Sequence, residues 1–266
     1  MGVITVRFRL FLIVVAVAGF VGPVCADILS AIAKVKPSVV IVGTFKSTSS
    51  PRFNLRGTGF VVGNATLGSS NLVVTNAHVL ERPADQDPDA VLVVQIRIGP
   101  SELQMRQATV LEVDKVHDLA LLRFEGAPVA ALTVRDSAMV LEGQSVAFMG
   151  FPIGGALGYS PVTHRGMISS IAAAALPTPT SRQLNEKTIR GLRGSGSFNI
   201  FQLDGTAYPG NSGGPLFDPD NGDVLGVVNM VFIKGTRESA LTNPSGISYA
   251  IPSGFVMQLL ERNKPH

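Results

Sequence analysis

Short apolar runs rich in β-branched residues follow one another along the chain, and turn residues separate them. A first group lies at residues 38–45, 57–62, 71–76, 91–98, 105–114 and 119–124. A second group lies at residues 145–150, 163–171, 197–202, 215–217, 224–231 and 248–251. Such runs predict β-strands, and two sets of six predict an all-β fold of two six-stranded antiparallel β-barrels. The apolar spacing of residues 27–34 and 254–261 predicts a short helix near each end, the C-terminal one capped by Ser253.

The first 26 residues have a different pattern. Arg7 and Arg9 precede a continuous apolar run over residues 10–21, and Cys25 and Ala26 are the small residues that a signal peptidase needs. We expect a secretory signal peptide at residues 1–26, and therefore an exported protein, periplasmic or secreted by a bacterium. The alternatives are an uncleaved membrane anchor, for which the run is short, and a lipoprotein acylated at Cys25. Only an uncleaved segment would make a membrane a partner.

Charge and cysteine content change once that segment is removed. The whole chain has a net charge of +3, and loss of Arg7 and Arg9 leaves 20 basic residues against 19 acidic ones. This near-neutral balance gives no reason to expect nucleic acid as a partner. Cys25 is the only cysteine, so the mature protein has no disulfide and no cysteine metal site. The acidic run 85–89 lacks the glycine and the distal glutamate of an EF-hand loop, so we expect no metal.

A serine among glycines is the strongest chemical signal. It is Ser212, within Gly-Asn-Ser-Gly-Gly-Pro at residues 210–215. Glycine adopts conformations that other residues avoid, so this backbone can turn sharply and expose both the hydroxyl and nearby amides. The amides of Gly210 and Ser212 are candidates for an oxyanion hole. The alternative is an ordinary glycine turn with a bystander serine, but the hexapeptide is more specific than a bare Gly-x-Ser-x-Gly.

A serine nucleophile needs a base within hydrogen-bond reach. His78, in Thr-Asn-Ala-His, follows a predicted strand and a small residue and is the candidate base. His117 directly precedes the candidate aspartate and would point to the opposite face of a strand. His164 lies in a turn-rich stretch, and His266 is the terminal residue.

Asp118 opens the apolar segment Asp-Leu-Ala-Leu-Leu at residues 118–122. A carboxylate in such a setting is costly unless it has a partner, and His78 is the candidate partner, held by the carboxylate in the correct tautomer. The alternative is a surface aspartate at a strand start, of which Asp114 is the example. The order histidine, aspartate, serine is the order of chymotrypsin-type enzymes and differs from that of the α/β-hydrolases.

Together these three motifs resemble the chymotrypsin-like serine peptidases, and most closely their bacterial HtrA/Deg branch. Gly-Thr-Gly-Phe at residues 57–60, Gly-Phe-Pro at 150–152 and Tyr-Ala-Ile-Pro at 249–252 also fit that branch. The resemblance covers roughly residues 38–262 and implies a triad in the cleft between two barrels. The first barrel would supply His78 and Asp118, and the second Ser212. The chemistry needs no cofactor.

The expected domain organisation follows from this resemblance. After the signal peptide, residues 27–266 form one peptidase domain, with an N-terminal barrel at 27–133, a C-terminal barrel at 134–252, and a helix and tail at 253–266. HtrA proteins usually carry PDZ modules after the peptidase domain, and we expect none here. The loops 81–89 and 174–196 are long for the branch, and a homo-oligomer, common in it, stays an open possibility.

The substrate pocket is also assigned by the resemblance. In this family a basic P1 preference comes from an acid six residues before the serine, and that position is Thr206. The wall strand carries Met230 and Val231, and the facing strand carries Ser248. Side chains at Val231 and Ser248, where wide pockets have glycine, predict a shallow pocket for Ala, Val or similar small aliphatic P1 residues.

We therefore expect an exported serine endopeptidase whose partners are polypeptide substrates, above all unfolded or misfolded proteins. One rival is a chaperone-like or peptide-binding module on the same fold that no longer cuts. A second rival is an esterase of unrelated fold, whose usual order of serine, acid and histidine contradicts this chain.

Overall fold

The computed structural model describes residues 28–63, 68–81, 89–99, 102–155, 158–174, 198–229 and 247–264. The expected signal peptide with Cys25, most of the loops 81–89 and 174–196, and the pocket candidates Met230 and Val231 lie outside these ranges. No helix within the described ranges has the length and hydrophobicity needed to span a membrane.

The first of two barrels is built from residues 39–124. Its strands are β1 (Val39–Phe45), β2 (Phe53–Val62), β4 (Leu72–Thr75), β5 (Val91–Arg97), β6 (Leu103–Asp114) and β7 (Leu119–Phe124). They close in the order β1-β2-β4-β7-β6-β5, and all neighbours are antiparallel. Two short strands outside the barrel, β3 (Ser69–Ser70) and β8 (Val129–Ala130), pair with each other.

The second barrel follows after a connector. Its strands are β9 (Ser145–Gly150), β10 (Val162–Ala174), β11 (Phe198–Asp204), β12 (Pro215–Phe217), β13 (Val224–Asn229) and β14 (Ile247–Pro252). They close in the order β10-β11-β14-β13-β12-β9. The prediction of two closed, six-stranded antiparallel barrels is therefore confirmed.

Buried side chains explain why so many strands are continuous apolar runs. In β1, one face fills its own barrel through Val40 and Val42. The other face enters a cluster shared by both barrels, as Val39 and Ile41 do. A strand covered on both faces needs apolar residues at successive positions. β1 is accordingly buried at its first six positions, and the first four of these are apolar.

Helices close the ends of this shared cluster. α1 (Ile28–Val35) and α3 (Ser253–Arg262) bury apolar residues against it, and α2 (Ala77–Leu80) is a single turn after β4. The expectation that Ser253 caps α3 is wrong, because its hydroxyl donates to the carbonyl of Arg135. The hydroxyl of Ser137 instead accepts from the amide of Gly254, at 3.0 Å.

The predicted strand ends lie within four residues of the observed ones, and those of β7, β9 and β12 coincide with them. β2 begins at Phe53, and β10 runs on to Ala174, into the stretch expected to be a loop. The turn-rich setting expected for His164 is therefore wrong. His164 lies on β10 opposite Phe148 on β9, where cross-strand pairing determines its position despite the neighbouring glycine and proline.

Candidate active site

His78 lies where β4 ends and the chain turns into α2. Its neighbours Ala77 and Val79 are buried and anchor this turn, while the side chain of His78 is 24% exposed. The amide of His78 donates to Oδ1 of Asp118 at 2.8 Å, and ring atom Nδ1 lies 2.6 Å from Oδ2 of the same carboxylate. The structure thus joins two of the predicted site residues through a two-point contact.

Asp118 occupies the turn between β6 and β7 with a φ of +52°. Aspartate adopts this left-handed conformation more readily than most residues. The turn is fixed because the Asp118 carbonyl accepts from the Ala77 amide at 3.1 Å and from Nδ2 of Asn76 at 3.0 Å. Nδ2 of Asn229 donates to Oδ2 at 2.7 Å, a third N–H on the carboxylate. Such charge-assisted bonds are roughly twice as strong as neutral ones.

A second histidine–aspartate pair lies directly upstream of Asp118. Nδ1 of His117 is 2.8 Å from Oδ2 of Asp114, and the His117 ring stacks on Phe255 at 3.9 Å and contacts Phe198. His117 lies in a turn, so the expected argument from opposite strand faces does not apply. Asp114 is also not the surface aspartate expected, since its side chain is only 12% exposed.

The surroundings of Asp114 determine the direction in which its pKa is shifted. Burial alone would raise the pKa of Asp114. The hydrogen bonds from the side chain and amide of His117, together with the positive charges of His117 and Arg262, outweigh burial and lower that pKa. The pair is tied to α3 through Arg262, whose Nη2 lies 3.3 Å from Oδ2 of Asp114.

Ser212 lies on the loop between β11 and β12 and is 6% exposed. The next residue, Gly213, has a φ of +85°, and a Cβ there would lie 2.3 Å from Oγ1 of Thr75 and 3.2 Å from the amide of Asn76. Only glycine permits this close approach. Because Thr75 and Asn76 lead directly into α2, the loop that carries Ser212 packs against the segment that carries His78.

The two candidate oxyanion donors lie on the same loop. Gly210 has a φ of +105°. Within the described part of the chain, neither the Gly210 amide nor the Ser212 amide donates to a protein acceptor. The amide between them, of Asn211, donates to the Tyr208 carbonyl at 2.9 Å. The Gly210 and Ser212 amides thus lie on either side of a hydrogen-bonded amide and have no protein acceptor among the described residues. This arrangement suits an oxyanion hole.

Asn211 is fully buried and contacts a histidine that sequence reasoning set aside. Its Nδ2 lies 3.5 Å from Nε2 of His164, while its Oδ1 has no hydrogen-bond partner among the described residues. The His164 ring stacks on Phe148, with 4.7 Å between ring centroids. Burial lowers the pKa of His164, so this histidine is neutral near pH 7.

Two of the four pocket candidates lie within the described ranges. Ser248 on β14 is fully buried, and its Oγ accepts from the amide of Ala207 at 2.7 Å. Thr206, directly before Ala207, is half-buried. The structure therefore brings the positions of Thr206 and Ser248 together. Met230 and Val231 lie outside the described residues.

Three polar residues of the site were missed as functional candidates. Asn76 lies inside the quoted Thr-Asn-Ala-His motif, and Asn229 is the one amide side chain in the apolar run 224–231. A polar residue in an otherwise buried strand signals a specific partner, and for Asn229 that partner is Asp118. Thr58 on β2, whose amide donates to the Ser212 carbonyl at 2.9 Å, gives a weaker signal, because threonine is common on strands.

Comparison with known proteins gives the family. The family model described as Trypsin-like peptidase domain matches residues 57–227, well over half of the chain. Similar curated proteins include "Serine protease HTRA2, mitochondrial" of Drosophila grimshawi and of Drosophila virilis, each 32% identical over 206 residues. These alignments cover 77% of this chain but only 38% and 39% of the relatives, so the chain spans less than two fifths of their length.

Among solved structures, the fold is similar to that of the HtrA-type protease AlgW with a tripeptide. The TM-score is 0.60 at 22% identity, over 88% of this chain and 62% of that chain. At this identity the likeness concerns the fold, and it agrees with the two barrels described above. The chain therefore belongs to the trypsin-like peptidase family, and over the part that they share it is similar to HtrA-type serine proteases.

Proposed function

We propose that Ser212 is the nucleophile of this peptidase, with His78 as general base and Asp118 as the residue that orients His78. The observation that carries the proposal is the two-point contact between His78 and Asp118, located against the loop of Ser212. A serine hydroxyl is a weak nucleophile without such a base, and the base needs an orienting group.

Proton transfer follows from the contacts of Asp118. Its Oδ2 accepts from Nδ1 of His78, which favours the tautomer with the proton on Nδ1 and leaves Nε2 as the acceptor for the Ser212 proton. His78 then carries a positive charge, which the Asp118 carboxylate stabilises. Asn229 supports this role because its amide donates to the same Oδ2 and restrains the carboxylate. His78 later protonates the leaving amine.

The oxyanion formed when Ser212 attacks the scissile carbonyl is held by the amides of Gly210 and Ser212. Each such donor contributes about 2.7–4 kcal/mol to the transition state. This assignment is supported by the positive φ of Gly210 and by the absence of a protein acceptor for either amide within the described ranges.

For specificity, we propose small aliphatic P1 residues. Thr206 carries no charge to pair with Arg or Lys at P1, and Ser248 directs its hydroxyl to the backbone at Ala207. The resemblance to the HtrA/Deg branch assigns Val231, where wide pockets have glycine, to the other wall.

The proposed substrates are unfolded or misfolded polypeptides, and the proposed location is the periplasm or the medium of a bacterium. The resemblance to the HtrA/Deg branch supports the substrate class. The basic and apolar pattern of residues 1–26 supports export. A homo-oligomer is compatible with these proposals but is not required by them.

Hydrolysis of an unfolded, dye-labelled polypeptide by residues 27–266 tests the proposal. We expect turnover by the unaltered protein, and losses of several orders of magnitude in kcat for Ser212→Ala and for His78→Ala. Ser145→Ala, at an exposed position on β9, is the matched serine control and should cut normally.

A P1 library on the same protein should be cleaved best after Ala or Val. Preferred cleavage after Arg or Lys would overturn the specificity assignment. Binding of unfolded polypeptide without any cleavage would favour the chaperone-like rival and overturn the catalytic one.

A further inference from the structure

Thr58 on β2 connects the first barrel to the loop of Ser212. It is fully buried, and all its polar groups are used. Its amide donates to the Ser212 carbonyl at 2.9 Å, and its carbonyl accepts from Oγ1 of Thr75 at 2.7 Å. Its hydroxyl donates to the Gly210 carbonyl at 2.6 Å and accepts from the Phe151 amide at 3.0 Å.

The geometry points to Thr58 as a positioning residue for the oxyanion hole, acting through the Gly210 carbonyl. The inference rests on the proposed function, because it takes Gly210 as an oxyanion donor. It assigns a role to a residue that touches neither the substrate nor the reacting atoms, and that role lies in the hydroxyl group alone.

The direction of the Thr58 hydroxyl proton is determined by its neighbours. A hydroxyl has one proton to donate and two lone pairs that accept. The amide of Phe151 can only donate, so it uses a lone pair and leaves the proton for the Gly210 carbonyl. This arrangement satisfies both backbone groups, in a place with no access to solvent. Valine has nearly the same shape as threonine but can satisfy neither group.

Both peptide groups that flank the Cα of Gly210 are anchored in this way. The Pro209 carbonyl accepts from the Ile153 amide at 2.7 Å, and the Gly210 carbonyl accepts from Thr58. In a trans peptide the C=O and N–H point in opposite directions. With the Pro209 carbonyl held toward Ile153, the Gly210 N–H must point the other way. Loss of the Thr58 bond leaves the second peptide group held only through the Asn211 amide, which donates to the Tyr208 carbonyl.

Backbone strain is located at the same place. Ile153 has a φ of +59°, which is rare for a β-branched residue. Strained conformations of this kind persist only where the surrounding structure enforces them, and they cluster at functional sites. The strained residue is joined to the loop of Ser212 through the bond from its amide to the Pro209 carbonyl, next to the peptide group that Thr58 holds.

The test measures kcat and KM per active site, with sites titrated by a fluorophosphonate so that unfolded protein is not counted. Complete loss of one oxyanion donor costs about 10²–10³-fold in kcat. Thr58→Val misplaces a donor without removing it, so we expect a kcat about 10-fold to 100-fold lower, with KM changed less than about 3-fold. Affinity for a peptide boronate, which mimics the tetrahedral intermediate, should fall by the same factor as kcat/KM.

Two comparisons keep the test independent of folding. Thr44→Val removes the hydroxyl of another buried strand threonine, away from the loop of Ser212, and should leave kcat unchanged. Thr58→Ser and Thr58→Ala are both too small to clash and differ only in the hydroxyl. We expect the serine variant to restore most of the kcat and the alanine variant to resemble Thr58→Val.

The inference is overturned if the serine and alanine variants have the same kcat, or if Thr58→Val loses thermal stability but keeps the unaltered kcat per titrated site. Failure of the proposed function would look different. In that case the unaltered protein and Thr44→Val would neither hydrolyse peptide nor react with the fluorophosphonate, and the role of Thr58 would fall with it.

Discussion

Replacing Gly210 by alanine tests the oxyanion hole through a single methyl group. A Cβ at this position would lie 2.1 Å from the Phe151 carbonyl oxygen and 3.4 Å from Cα of Pro152. Real Cβ atoms essentially never come closer than 3.0 Å to such an atom, so the loop must shift by about 1 Å. Hydrogen bonds of the N–H···O type are effective only between about 2.7 and 3.2 Å, so a shift of this size removes the donor.

We expect Gly210→Ala to lower kcat by about 10²–10³-fold, equivalent to about 2.7–4 kcal/mol. Backbone strain at positive φ should lower the free energy of unfolding by about a further 1–3 kcal/mol. The assay is kcat on a peptide substrate per titrated active site, together with thermal unfolding.

Gly143→Ala is the matched control. Gly143 also has a positive φ, of +84°, but among the described residues no atom beyond its chain neighbours lies within 4 Å of the place that an added methyl group would take. This variant should show the strain penalty in stability and an unchanged kcat. The assignment of the Gly210 amide as an oxyanion donor would be refuted by a Gly210→Ala enzyme within about 3-fold of the unaltered kcat, or by an equal loss of kcat in both variants.

Three further predictions concern the polar groups around the site. Asn229→Leu removes one of three donors to the Asp118 carboxylate. Because a bond to a charged group contributes about 1.5–3 kcal/mol, kcat should fall at least about 10-fold. An unchanged kcat would show that the bond is dispensable. Burial lowers the pKa of His164, so stability should decline as pH falls below about 6.5, where the unfolded histidine takes up a proton first. His164→Phe should weaken that decline in thermal melts between about pH 7.5 and 5.5, and an identical decline would contradict the assignment. Because the pKa of Asp114 is lowered, its contribution to the free energy of unfolding is present at neutral pH and lost in acid. Asp114→Asn should therefore have a lower Tm than the unaltered protein at about pH 7 but not near about pH 3. A difference in Tm that stays constant between these pH values would contradict this.

Strands such as β1 were predictable because their composition matches their burial on two faces. The run at residues 39–42 is apolar throughout, and each of its side chains enters one of two cores. Strand ends were less predictable, because β10 extends to Ala174 by pairing with β11, which lies far along the chain. His164 lies within the strand predicted over residues 163–171, but its neighbour Phe148 across the barrel could not be read from the local sequence.

The candidate site residues were found through local motifs, and their supporting residues were not. His78, Asp118 and Ser212 each lie in a distinctive short segment. Asn229 lies 111 residues from Asp118 in the chain, and Thr58 lies 152 residues from Gly210. No local pattern encodes such pairs. The Asp114–His117 pair shows the converse, because sequence proximity produces a histidine–aspartate contact that the proposed chemistry does not use.

The assignment of Ser212 as nucleophile and His78 as base is tested most directly by covalent labelling of the mature protein with a fluorophosphonate. The modified residue is then located by mass spectrometry. We predict one adduct, on Ser212, that disappears in Ser212→Ala and forms orders of magnitude more slowly in His78→Ala. An unlabelled protein, an adduct on another serine, or labelling of Ser212 at the same rate without His78 would contradict it.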